Sequence, residues 1–350
     1  MKSSFVITLL LWFVVYGLRG QTNQYRFSRI DVSHGLSHNQ IKAILKDEKG
    51  FLWIGTISGL NRYDGYTVRA FTNEPNDSTS LISSDVNKIF KGPGNKLWIH
   101  TWSGVNVYDP KTESVDRNTA RILGSLNIPP GLINDIYQDS KRNYWFLHSS
   151  GGLFRYSEDN QQTDRIDHRT DDTTSIATNQ VAAWTEDRLG NVWILHTNGI
   201  LEKLNALTLQ VEYRDYTLSR RFRGEVLEYH FTADRDGDLW FYIANLNAGV
   251  FQFNPATKQW NHIDHTSGKM RLNTSIVRGI VEDEEGLLWI ATDHGGINLL
   301  NKREQTVKFI LHDPDDEKSL SQNSVNVLYK DDDGIIWAGT FKNGISFYHR

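Results

Sequence analysis

Seven tryptophans, Trp53, Trp98, Trp145, Trp193, Trp240, Trp289 and Trp337, follow one another at intervals of 45, 47, 48, 47, 49 and 48 residues. Each stands in the same context. Gly50, Gly190, Gly237, Gly286 and Gly334 lie three residues before the tryptophan, with Asn95 and Asn143 in the second and third copies. Asp47, Asp139, Asp187, Asp234, Asp283 and Asp331 lie three residues earlier again, with Gly92 as the exception. A large apolar residue precedes that by three (Ile44, Ile89, Ile136, Trp184, Phe231, Ile280, Leu328), and a glycine follows each tryptophan by about six. A near-constant period of this length identifies a repeat architecture of one supersecondary unit per copy.

One copy reads as four short strands. Ile41 to Lys46 is the first. Asp47-Glu48-Lys49-Gly50 is a tight turn, in which the aspartate bonds its own backbone and the glycine takes a positive φ. Phe51 to Thr56 is the second strand, Leu60 to Tyr63 the third and Tyr66 to Phe71 the fourth, with Asp64-Gly65 as a hairpin signal. The second strand is apolar on both faces, since Leu52 and Ile54 point one way and Trp53 the other. Such a sheet must be covered on both sides, whereas a sandwich shows a polar outer face. Radial stacking of four-stranded antiparallel sheets covers both, so the expected fold is all-β, a seven-bladed β-propeller. The last copy ends at Ile345-Ser-Phe-Tyr348 without a fourth strand, and Tyr25 to Ile30 reads as a strand without its first three. The N-terminal strand is expected to complete the last blade and close the ring.

Ahead of the propeller, Lys2 and the apolar run Phe5 to Leu18 read as a signal peptide over residues 1–20, with Gly20 before Gln21 as the cleavage point. Fourteen apolar residues are few for a membrane span; an uncleaved anchor is the alternative. The remaining chain, 21–350, is expected to be one exported domain. Zero cysteines exclude disulfides, a thiol nucleophile, a lipoprotein anchor and thiolate metal sites. With 38 basic against 42 acidic residues the chain has a net charge of −4, which argues against nucleic-acid binding.

The run Gly35 to Gly65, GLSHNQIKAILKDEKGFLWIGTISGLNRYDG, and the connections Asn73–Leu81 and His312–Leu320 resemble the two-component regulator propeller repeat, and the resemblance extends over residues 25–350. It implies a periplasmic sensor region of a hybrid two-component system of the Bacteroidetes kind, responding to breakdown products of complex polysaccharides. It also implies a second propeller, a β-sandwich domain, a membrane helix, a histidine kinase and DNA-binding output, and commonly a homodimer. No kinase motif or C-terminal span occurs in these 350 residues. The chain is therefore expected to be a fragment of a longer sensor or a stand-alone propeller.

Function must be argued from sites. The turns with uniform Asp-x-x-Gly read as structural, and the opposite face, with variable connections, as the binding face. Its candidate ligand residues are Trp102, His148, His196, Asn198, Asn245, Asn247, Asp293, His294, Lys342 and Asn343. Aromatic faces, amides and a carboxylate suit an oligosaccharide, because sugar rings stack on aromatics while hydroxyls pair with amides. Trp102 is the foremost candidate, with a blade-to-blade packing role as its alternative. His148 and His196 occupy the same repeat position, where threonine also recurs. A hydrogen-bonding framework role is favoured there over a metal pair. Asp293 and His294 carry the same ambiguity. Asp77, Asp171-Asp172 and Asp315-Asp316 lack the alternating spacing of a calcium loop and read as solvated turn residues. Trp184 and Phe231 read as core, and Glu228 as a polar group near the channel or a residue out of register with the repeat. No catalytic residue, metal or cofactor is expected. Two further readings are a streptogramin-lyase-type enzyme centred on His148, His196 and His294 with a divalent metal, and a protein-interaction scaffold.

Overall fold

The computed structural model describes residues 25–149, 151–225 and 227–350. The signal segment 1–20 and Ser150 lie outside them. The described chain forms seven four-stranded antiparallel sheets, six of them from consecutive strands. The inner strands are Ile41–Lys46, Val86–Gly92, Ile133–Gln138, Val181–Glu186, Tyr229–Ala233, Val277–Glu282 and Val325–Lys330. The seventh sheet takes its outer strand, Ser28–Ile30, from the other end of the chain, and pairs Ser28 with Phe347, Arg29 with Ser346 and Ile30 with Ile345. The ring is closed as the repeat pattern requires. No described helix is long and apolar enough to cross a membrane.

Strands are shorter than the sequence suggests in two places. The closing strand begins at Ser28, because Tyr25 is turned aside to pack edge-on against Trp289 and Tyr348, and Phe27 N–H bonds the Lys318 carbonyl. The fourth strand of blade 1 is Val68–Phe71. The Asp64 carboxylate accepts from the N–H groups of Tyr66 and Thr67 and holds both in the turn.

The second strands Leu52–Thr56, Tyr144–His148, Val192–His196, Leu288–Thr292 and Ile336–Thr340 are buried throughout, as expected of sheets covered on both faces. The repeat tryptophans reach across to the following blade. Trp53 meets Tyr108, Trp98 meets Phe146, Trp145 meets Trp184 and Trp193 meets Phe253, at centroid distances of 4.9, 5.6, 5.2 and 5.9 Å. Each buries roughly 150–250 Å² and carries one polar atom that burial would orphan. In six blades the turn aspartate solves this. Its Oδ2 accepts the indole N–H at 2.7–2.9 Å, while its Oδ1 accepts backbone N–H groups two and four residues on. The Asp, the Gly and the Trp of the repeat are thus one device. Blade 2 dispenses with it. Gly92 lies so close to Trp98 that a Cβ there would come within 2.3 Å of the indole Cδ1 and Nε1.

Candidate ligand-binding face

Connections between blades and the turns between second and third strands emerge on one face. There, in four blades, the repeat position three residues after the tryptophan is a stitch. The hydroxyls of Thr56, Thr101, Thr292 and Thr340 donate to the carbonyls of Gly59, Gly104, Gly296 and Gly344. A second stitch was not read from the sequence. Asn61, Asn106, Glu202, Asn298 and Ser346, on third strands, accept the backbone N–H groups of Ser37, Ile82, Ala177, Asn273 and Ser321 in the incoming connections. Blades 3 and 5 carry Phe154 and Phe251 at the corresponding place. The connections entering those two blades instead form short helices, Thr119–Ser125 and Thr217–Arg221, seated by buried Leu123 and Leu218.

The ten predicted residues divide. Trp102 is 82% exposed at its turn, so the blade-to-blade packing alternative is wrong for it. Its turn is held through its backbone, where its N–H bonds the Asp85 carbonyl, and the indole is left outside. Asn198, Asn245, Asn247, His294, Lys342 and Asn343 are also exposed on this face, and Asp293 is half-buried. Several amides are engaged locally. Asn198 accepts from Ile200 N–H, Asn245 from Glu228 N–H, and Asn343 donates to the Ser321 carbonyl. Asp293 lies 2.8 Å from His294 Nδ1 and 3.5 Å from Arg278.

His148 and His196 are buried and belong to the framework. His148 lies beneath Gly131, where a Cβ would come within 2.2 Å of its Nε2, and edge-on to Phe154. His196 Nε2 is 2.7 Å from Glu202, its Nδ1 is 3.0 Å from the Thr178 hydroxyl, and Glu202 also binds Arg214. Burial raises the Glu202 carboxyl, but the hydrogen bonds and charges of His196 and Arg214 outweigh it and hold the group below its ordinary range. The three histidines required by the lyase reading do not form a common cluster. Among the described residues one triad of metal-ligating side chains draws together, buried Asp331 with exposed Asp332 and Asp333; Asp331 already accepts from Trp337, and Lys46 bridges the other two.

Asp77 and Asp172 cap their own loops, each accepting from the N–H and hydroxyl of the threonine two residues on. Glu228 is out of register with the repeat, because the first strand of blade 5 lacks the one-residue bulge of the other six. The blade's first strand starts one residue later, at Tyr229, and Glu228 lies exposed in the connection. Trp184 is core as expected, but both it and Phe231 also line a cavity in the central channel.

The family model described as "Two component regulator propeller" matches residues 35–58, 271–294 and 319–342, three of the seven turns described above. Among solved structures, the extracellular domain of a hybrid two-component system from B. thetaiotaomicron superposes with a TM-score of 0.68 at 24% identity. The match covers 93% of this chain and 42% of that one. Virginiamycin B lyase from Staphylococcus aureus has the same fold, with a TM-score of 0.59 at 11% identity over 93% of this chain and 100% of that one. A histidine kinase of Formosa agariphila, "Histidine kinase P4", is 35% identical over 82 residues, 23% of this chain and 6% of the kinase. The chain therefore spans less than half of that extracellular domain and a small part of the kinase. Fold and repeat make this a seven-bladed propeller, and three of its repeats are similar to the two-component regulator propeller. Relatives of this kind are parts of larger, multidomain signalling proteins.

Proposed function

We propose that this chain is the ligand-sensing propeller of a two-component regulatory system, exported to the periplasm, and that its loop face recognises an oligosaccharide without catalysis. The observation that carries the reading is Trp102. An indole stands 82% exposed on the variable face of a rigid ring whose seven repeat tryptophans are all buried. Exposed aromatics among amides suit the apolar face and the hydroxyls of a sugar. The ring is tied blade to blade by its stitches, so signal transfer is assigned to its interfaces with neighbouring domains or a second copy, where a ligand biases relative placement. Kinase activity belongs to such a further domain.

Calorimetric titration of the exported chain against a panel of plant and host glycan fragments tests the reading. Saturable binding that falls on Trp102→Ala supports it. Binding of a peptide and of none of the glycans refutes it.

A further inference from the structure

In six of the seven inner strands the residue after the first is bulged out of register: Lys42, Asn87, Asn134, Ala182, Arg278 and Asn326. Bulges re-aim side chains. Two of them tie neighbouring inner strands together: Asn326 donates to the Ile41 carbonyl and Lys42 to Asn87. Lys88, beside the bulge of blade 2, donates to the Asn134 carbonyl, and Arg278 donates to the Ala244 carbonyl in the turn after the second strand of blade 5. At blade 4 the corresponding residues, Ala182 and Ala183, offer only methyl groups.

Beside them lies a cavity of about 190 Å³ lined from five blades, among its residues Asp135, Trp184, His230, Phe231, Thr232 and Arg278. Its volume corresponds to about six water molecules and lies below the ~300 Å³ at which drug-sized pockets begin. The cations around it already have partners, Lys42 with Asp85 at 2.5 Å and Arg278 with Asp293 at 3.5 Å. Burial raises the Asp135 carboxyl, against the lowering charge of Lys88. Burial, helped by Lys88, pushes the His230 imidazole down to about 4, so it is neutral at pH 7 and both accepts and donates. Trp184 is 7% exposed, and its indole N–H has no acceptor among the described residues. A buried donor without an acceptor costs about 1–3 kcal/mol unless something supplies one.

We infer that this channel cavity is a binding site for a single uncharged, hydroxyl-rich ring of monosaccharide size. The wall offers what such a ring needs: the aromatic surfaces of Trp184 and Phe231, a neutral imidazole, a hydroxyl at Thr232, and a carboxyl group at Asp135. It offers no net charge to hold an ion. For its ligand class the inference rests on the carbohydrate reading above, but it concerns different residues from those of the loop face.

The test titrates the chain with D-glucose, D-galactose, D-mannose, D-xylose and L-arabinose by saturation-transfer NMR. Saturable binding of at least one, weakened about tenfold or more by Ala183→Leu and by Asp135→Asn and unchanged by Trp102→Ala, supports the site. Should Ala183→Leu fail to fold, Thr232→Val must show the same loss. No saturation by any of these sugars up to about 100 mM, or binding indifferent to the channel variants, overturns the inference. Loss of oligosaccharide binding through Trp102 alone leaves the loop-face reading standing while the channel fails.

Discussion

Glu202 Oε2 lies 2.7 Å from His196 Nε2, and neither side chain has any exposure to solvent. The pair joins the second strand of blade 4 to its third. Through Ala177 N–H and Arg214 it also fixes the incoming connection and the outer strand.

Removing one partner from a buried pair leaves a charge uncompensated, so Glu202→Ala is expected to cost about 3–5 kcal/mol, measured by denaturant unfolding. The folded pKa of Glu202 is depressed below its ordinary value of 4.5. Its stabilisation is therefore complete above that value and is lost as pH falls through the lower, folded pKa. In the wild type this adds to acid unfolding below about pH 4.5; in Glu202→Gln that component of the pH–stability curve should vanish.

The Trp–Asp contact gives opposite expectations in two blades. Asp139→Ala strips Trp145 of its acceptor, and Lys141 and Asn143 backbone N–H groups of theirs, and should cost about 1–3 kcal/mol. In blade 2, restoring the repeat's aspartate by Gly92→Asp should also destabilise, because its Cβ would collide with Trp98. A gain in melting temperature for Gly92→Asp contradicts this account.

Trp102→Ala should leave stability within about 0.5 kcal/mol of wild type, since the indole is exposed. Any loss of ligand affinity in that variant is then a property of the face and not of unfolding.

Ring closure depends on a three-residue strand. Ile30 is buried in the apolar cluster that joins blades 7 and 1, and Ile30→Ala should cost about 2–5 kcal/mol, read from the thermal or denaturant midpoint.

The seven blades, their order and the closing strand were legible because the pattern that specifies them is local: an aspartate, a glycine and a tryptophan six residues apart are bonded to one another. The framework role of the threonine and histidine position was legible for the same reason. The stitch at Asn61, Asn106, Glu202, Asn298 and Ser346 was not, because amide, carboxylate and hydroxyl all do the same work and no single residue type recurs. Nor were the helices at Thr119–Ser125 and Thr217–Arg221, each no longer than seven residues and set by packing on blades whose third strand carries phenylalanine. The channel cavity is assembled from five blades and leaves no linear trace. Its one local sign was the polar residue following the first apolar position in six of the seven inner strands.

The antiparallel register of the closing strand sets how the ring gives way under load. Ser28 is paired with Phe347 at the same end of the ladder, with Ile30 and Ile345 deeper in. A force that draws Ser28 away from Phe347 parts these pairs in succession, like a zipper, instead of loading all three in shear. Seven wedges that resist bending together are thus fastened by a clasp that yields to a gentle tug at one corner.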